Sequence, residues 1–299
     1  MKTRDIGLLF LLASIWGSSF IFISVSAPVI GPFWVVLIRT ALGCLTLLAF
    51  ALLTGQRGNW RRYWNKYLIL GALNVAIPFA LISAAELELS SALAAILNAT
   101  TPLFSALVVA VWFNDKLTLP RLVGLALGII GVALVVGWDA AEMTPAFILG
   151  AVMSLVASLF YAIGTSYAKT RFKESVPVTM AIGQLGAAAI LVLPFALANP
   201  PQVAVGIDVI GSMLTLGILC TAVAYLIYFR LLATAGATNT TTVTFLAPFF
   251  SILWSWLFLG ETIGAPQFIG LLVILSGLFL VTGFRPAFLR PRKTVPQPS

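Results

Sequence analysis

Two stretches decide the fold: TPLFSALVVAVWFNDKLTLPRLVGLALGIIGVALVVG at residues 101–137 and APFFSILWSWLFLGETIGAPQFIGLLVILSGLFLVTG at residues 247–283. Laid over each other at an offset of 146, they pair Pro102 with Pro248, Ser105 with Ser251 and Asp115 with Glu261. The same offset pairs Pro120 with Pro266, Gly124 with Gly270, Gly131 with Gly277 and Gly137 with Gly283. Working outward, it also pairs Gly71 with Gly217. Near the start of each half it slips to about 145, matching Trp16 with Tyr161, Arg39 with Gln184 and Phe50 with Phe195. Self-similarity over so much of a chain marks a duplicated unit.

Composition says which solvent the unit faces. Of 299 residues, 61% are hydrophobic and only 9% are charged, and the mean hydropathy is +1.08. An ordinary soluble domain is about 45–50% apolar and about 25% charged, so this chain lacks the polar surface to cover a core in water. A helix needs about 20 mainly apolar residues to cross the hydrocarbon layer. Ten runs of that kind occur, near 5–26, 31–54, 67–87, 90–113, 119–137, 145–168, 177–198, 207–233, 238–259 and 265–284. The first run, with Lys2 and Arg4 ahead of it and Val25-Ser26-Ala27 near its end, also resembles a signal peptide. It is long for one, Pro28 follows the cleavage-like site, and the duplication needs this run as its first helix.

Basic residues set the expected orientation, because short cytoplasmic loops are rich in Lys and Arg. One side of the chain collects Lys2, Arg4, Arg57, Arg61, Arg62, Lys66, Lys116 and Arg121. It also holds Lys169, Arg171, Lys173, Arg230, Arg285, Arg290, Arg292 and Lys293, so that 16 of the 17 basic residues share the side of both termini. Only Arg39 lies inside a span. Glu86, Glu88, Asp139, Glu142, Asp208 and Glu261 fall on or near the opposite face. The expectation is an all-α integral membrane protein of ten transmembrane helices, N-in and C-in. The net charge of +8 is then a topological signal and not a nucleic-acid footprint.

Five spans per unit is an odd number, so the second unit must enter the membrane from the opposite side. The expected organisation is a first five-helix repeat at 1–140, an inverted second repeat at 141–284 and a basic, Pro-rich cytoplasmic tail at 285–299. Inverted repeats are an architecture of secondary transporters, which open a midplane site to each side in turn.

At this point the residues resemble a known family. Pro102-Leu-Phe-Ser-Ala followed by Asn114-Asp-Lys-Leu, Pro120, Gly124 and Gly131 is similar to the EamA-type repeat of the drug/metabolite transporter superfamily. So is Pro248-Phe-Phe-Ser-Ile followed by Gly260-Glu-Thr-Ile, Pro266, Gly270 and Gly277, and Trp16-Gly17 and Arg39 also fit the family's pattern. The resemblance covers roughly residues 5–284. It implies ten helices in two inverted repeats, a cavity lined by the first, third and fourth helices of each, and export of small metabolites, as in amino-acid exporters of the YddG type. One departure stands out: the four-helix multidrug relatives carry a membrane-embedded Glu three residues before a Gly in their first helix, whereas here Ser14 precedes Gly17 and Ser158 does not restore the acid.

Intramembrane ionisable groups are functional candidates by default. Arg39 is one, and Glu86 near the end of the third span has a comparable depth. Either Arg39 contacts an anion, or it pairs with Glu86 or a carbonyl to fasten two helices. Asn98, Thr101 and Pro102 in the fourth span, and Asn239, Thr244 and Pro248 in the ninth, form polar, Pro-interrupted stretches. A Pro in a helix frees a carbonyl, tolerated at membrane depth only beside protein or water, so these are expected kinks and cavity walls; the bland reading is interhelical hydrogen bonding. Trp16, Phe79, Tyr161 and Tyr225 sit mid-span as candidate cavity aromatics, with Asn74 near Phe79. Trp60, Tyr63, Trp64 and Trp138 suit the membrane interface. Gly124-x-x-x-Gly128 suggests close packing within the chain, so a monomer is expected over a homodimer.

No His and two Cys leave no metal site, triad or disulfide framework to build, and no phosphate-binding loop for ATP is present. No enzyme activity and no cofactor is expected. The reading is a secondary transporter in the cell inner membrane, its partners a small-molecule substrate and the lipid bilayer, exporting an amino acid or similar solute by uniport or with proton coupling through Glu86. A drug or quaternary-cation exporter, a sugar or nucleotide-sugar carrier, and a membrane scaffold are the alternatives.

Overall fold

The computed structural model describes residues 2–56, 58, 60–137, 144–172, 175–201 and 203–282. The expectations for Arg57, Trp138, Asp139, Glu142, Lys173, Gly283 and the 285–299 tail lie outside these residues, as do the side chains of Trp60 and Arg61. Helix is the rule and no strand occurs among the described residues, as expected where lipid offers the backbone no hydrogen-bond partner.

The helices are α1 (Thr3–Ile30), α2 (Pro32–Leu53), α3 (Arg62–Ala85), α4 (Ser91–Trp112) and α5 (Leu119–Gly137). Then come α6 (Pro145–Arg171), α7 (Pro177–Ala198), α8 (Ile207–Ala235), α9 (Val243–Leu259, preceded by the turn of helix Ala237–Thr240) and α10 (Ala265–Thr282). All but α9 are long and apolar enough to span a bilayer, and α9 is a shorter apolar helix. The chain is a multi-pass membrane protein.

Local chemistry sets the joins. Gly31 leaves α1 at φ 79°, a conformation open to Gly and costly for other residues. Pro32 then starts α2 at a position where its missing N–H has no helical partner to lose. Thr144 and Ser90 cap α6 and α4, their side chains accepting from Phe147 N at 3.1 Å and Leu93 N at 3.2 Å. Short connections make successive helices antiparallel. The described basic residues Lys2, Arg4, Arg62, Lys66, Lys116, Arg121, Lys169, Arg171 and Arg230 consequently gather at one end of the bundle, here the basic end. Glu86, Glu88, Asp208 and Glu261 gather at the other, the acidic end.

Packing follows a reciprocal pattern: α1 lies on α9 and α8, α6 lies on α4 and α3, α2 on α7 and α8, α7 on α2 and α3, and α5 on α10. Glycines permit the closest of these crossings. A Cβ at Gly124 would stand 2.5 Å from Gly277 O, and one at Gly131 would stand 2.8 Å from Ile274 N. The Gly124-x-x-x-Gly128 face thus packs within the chain, on α10 and on Leu103.

The two halves of α4 live in different surroundings. Every residue from Ser91 to Leu97 is buried, packed against α1, α6 and α9. Beyond a break at Ala99–Thr100 only Leu103 is buried in Thr101–Trp112, whose main neighbours are α6, α10 and α5. The α4/α6 pair is therefore closed on α1/α9 towards the acidic end and parts from it towards the basic end.

Candidate functional site

The break in α4 follows from Pro102. Its ring withholds the N–H that would bond Asn98 O four residues back. Thr101 Oγ1 donates to that carbonyl at 2.7 Å, and Ser158 Oγ from α6 lies 3.4 Å from both Asn98 O and Asn98 Oδ1. The amide nitrogen of Asn98 keeps no partner among the described residues and is not sealed in, which leaves two N–H donors at the point where α4 leaves the closed part of the bundle.

The third helix of each half carries a π-helical bulge, Ala72–Ala76 in α3 and Thr215–Val223 in α8. Such bulges add a residue to the turn and recur at functional sites. In α8 the wider turn lets Thr221 Oγ1 donate to Leu216 O, five residues back, at 2.8 Å, and the same hydroxyl accepts from Arg39 Nε at 3.0 Å. In α3, Asn74 Nδ2 donates to Gln184 Oε1 at 2.9 Å, and Gln184 Nε2 donates to Tyr225 OH at 3.3 Å. Arg39 Cζ lies 3.9 Å from the centre of the Phe79 ring, a cation–π contact. The repeat register matches Arg39 with Gln184 and Phe79 with Tyr225. Each half therefore presses a polar side chain from its second helix onto a ring of its own third helix and onto the bulge of the other half.

The Phe79 and Tyr161 rings meet edge to face at 6.2 Å, while Trp16 packs on Tyr228 at 5.6 Å. Asn74, Phe79, Tyr161 and Tyr225 thus belong to one cluster around Arg39 and Gln184, and Asn98 and Thr101 to a second beside Ser158. Asn239 and Thr244 spend their side chains on their own backbone, bonding Ala235 O at 2.7 Å and Thr241 O at 2.7 Å. Pro102 and Pro248 also differ. Pro102 sits at the start of the helix that follows the break, whereas Pro248 lies inside Val243–Trp254, and the break in that half comes earlier, at Thr241–Thr242. Tyr63, expected at the interface, is buried and stacks on Phe172 at 5.4 Å, while Trp64 is exposed.

No ion pair joins Arg39 to Glu86 among the described residues; Arg39 bonds Thr221 instead. It lies level with Phe79, and Glu86 follows Phe79 by seven residues, about 10 Å further along at 1.5 Å per residue. Glu86 is 5% exposed and neither of its oxygens has a partner. Arg39 is 9% exposed; its terminal nitrogens make no hydrogen bond, yet are not sealed from the space beside them. Gln184, Thr221 and Ser158 belong to the site and are absent from the sequence-based candidates. The register of Gln184 with Arg39 is a usable signal for the first, while nothing in the sequence marks the α8 bulge that presents Thr221.

No group of His, Cys, Asp or Glu suited to a metal occurs among the described residues. A cavity of about 390 Å³ opens at the acidic end between Glu88, Ser90, Thr144, Thr262 and Gln267, and none of the expected site residues lines it.

The family description "EamA-like transporter family" fits residues 4–137 and again residues 148–283. The chain belongs to the EamA-like transporter family. Among curated relatives of this EamA-like protein, an uncharacterized transporter of Archaeoglobus fulgidus is 24% identical over 91% of this chain and 96% of its own. The uncharacterized transporter YvbV of Bacillus subtilis is 26% identical, covering 94% and 92%. The uncharacterized inner membrane transporter YedA of Escherichia coli K12 is 28% identical, covering 98% and 94%. A solved crystal structure at 19% identity aligns with a TM-score of 0.66 over 94% of this EamA-like chain and 97% of its own, which shows the shared fold.

Proposed function

We propose that this EamA-family transporter is a secondary carrier of the cell inner membrane that exports small metabolites, amino acids first among them, by alternating access. Its ten helices form two inverted five-helix repeats with both termini cytoplasmic, so the basic end is the cytoplasmic one. The reciprocal packing of α1 with α9 and of α6 with α4 supports the inverted repeat, and the clustering of Lys and Arg supports the orientation.

The observation that carries the reading is α4, buried from Ser91 to Leu97 and, beyond its break, buried only at Leu103. A carrier closed on one side and open on the other needs such a helix, with its polar groups at the boundary. Here the boundary holds the free Asn98 amide, and Ser158, bonded to Asn98, lies three residues before Tyr161 of the aromatic cluster on the same helix. A buried cation with no carboxylate partner favours a solute bearing one negative group, and ring faces suit its apolar part. A quaternary cation would meet the like charge of Arg39, and a nucleotide sugar would call for several cations where the middle of the spans provides Arg39 alone among the described residues. A scaffold would have no use for an opening beside unbonded donors.

Counterflow of labelled amino acids in proteoliposomes tests this, comparing wild type with Asn98→Ala and Thr244→Ala. The expected result is saturable exchange of a few amino acids that Asn98→Ala reduces at least tenfold. Folded protein that exchanges no amino acid overturns the substrate class.

A further inference from the structure

The acidic end is fastened by a contact between the halves. Glu261, in the turn between α9 and α10, accepts from Ser91 N at 3.0 Å through Oε1 and from Ala92 N at 3.2 Å through Oε2. The first N–H groups of a helix have no partner inside it, and a carboxylate set against them gains both charge-assisted hydrogen bonds and the favourable end of the helix dipole. Gly260, in the left-handed region at φ 66°, and the bond from Glu261 N to Ser255 O at 3.2 Å aim the side chain at α4.

The repeat register supplies the counterpart. The offset that pairs Asp115 with Glu261 also pairs Ser90 with Gly236, Ser91 with Ala237 and Ala92 with Thr238. The fold obeys it: Ser90 precedes the first helical residue of α4, and Gly236 precedes the helical turn that leads into α9. At the basic end, however, the matching contact is not made. Asp115 pairs with Arg121 Nη1 at 2.7 Å and is 47% exposed, and the N–H of Ala237 has no partner among the described residues. This is also the end where α4 stands away from α9. One carboxylate contact is thus made where α4 is buried against α9, and its equivalent is not made where α4 stands away from α9.

We propose that Glu261 and Asp115 are reciprocal gate latches: Glu261 holds α4 to the α9–α10 turn while the acidic end is shut, and Asp115 holds the start of α9 to the α4–α5 turn while the basic end is shut. The inference rests on the carrier reading above. The 22 residues of α4 separate its ends by about 33 Å, so rocking the α4/α6 pair against α1/α9 closes one end as it opens the other. In passing between states Asp115 exchanges Arg121 for the backbone of α9, and Ser91 and Ala92 give up Glu261. Arg121 competes with the basic-end latch and so favours the state described here. All three are positioning residues, since the solute itself touches none of them.

Distances between spin labels in lipid vesicles test the proposal. One pair, Leu87→Cys with Thr262→Cys, reads the acidic end; another, Lys116→Cys with Ala233→Cys, reads the basic end; Cys44 and Cys220 are replaced by Ser in both. Glu261→Gln keeps the shape but only one acceptor, and is expected to raise the ratio of acidic-end-open to acidic-end-closed molecules about fivefold to tenfold. Arg121→Gln is expected to move the ratio in the same direction, and Asp115→Asn in the opposite one. A misfolded variant cannot produce this pattern of signs. Two wild-type distance populations that ignore all three substitutions would overturn the latches and leave the carrier standing. A single distance at each end, whatever solute is added, would overturn both.

Discussion

Replacing Pro102 with Ala should make the protein more stable and slower. In the native chain the Asn98 carbonyl is served by Thr101 Oγ1 at 2.7 Å and, more weakly, by Ser158 Oγ at 3.4 Å. The Pro102→Ala substitution would bring back the missing N–H and remove the ring that keeps Ala99 and Thr100 out of helix, so that α4 could run unbroken from Ser91 to Trp112. The restored backbone bond contributes about 1 kcal/mol. The side-chain bonds it displaces are local and partly retained, so a net gain of about 1 kcal/mol, a few degrees in apparent melting temperature, is expected. The same gain is a penalty for motion. If the half of α4 beyond the break swings during the cycle, stiffening the hinge by about 1 kcal/mol slows exchange about fivefold. Thermal unfolding in lipid nanodiscs and counterflow in proteoliposomes, on one preparation, read both effects. A variant that is more stable and exchanges at the wild-type rate would refute the hinge, and one that melts lower would refute the hydrogen-bond reasoning itself.

Other substitutions probe the packing that supports the site. Gly124→Ala places a Cβ 2.5 Å from Gly277 O, so α5 and α10 must part by about 0.9 Å to reach ordinary contact at 3.4 Å; overpacking of this kind costs about 1–3 kcal/mol, and the apparent melting temperature should fall. Thr221→Val removes the acceptor of Arg39 Nε at a cost of about 1.5–3 kcal/mol for a bond to a charged group, which a lowered melting temperature and weakened solute affinity should both report.

Much of the fold is legible because lipid constrains the sequence so tightly. The bounds of α5 and α7 agree with the apolar runs, since Pro120 with Thr118 at one start and Pro177 at the other punctuate them sharply. The start of α9 differs from its apolar run by about five residues because Thr241 and Thr242 are compatible with helix or turn, and only the tertiary setting decides. For the site, the residue types are readable and their partners are not. Asn74, Phe79, Tyr161 and Tyr225 do cluster, but Arg39 meets Thr221 and not Glu86, because a π-bulge with no sequence marker carries the hydroxyl within reach. Pro78, four residues after Asn74, is the one local sign of the bulge in α3. Matching the halves by register exposes the Glu261 and Asp115 pair, which neither half discloses alone.

The account stands or falls on a solute site between the halves that opens to the basic end. Thr101→Cys, in a background with Cys44 and Cys220 replaced by Ser, tests it directly by reaction with a membrane-impermeant thiol reagent. The account predicts fast labelling in inside-out vesicles, slow labelling in right-side-out vesicles, and slowing of the fast reaction by a transported amino acid. Labelling from neither side, in protein shown to be folded, would mean a dry and closed interface and would contradict it.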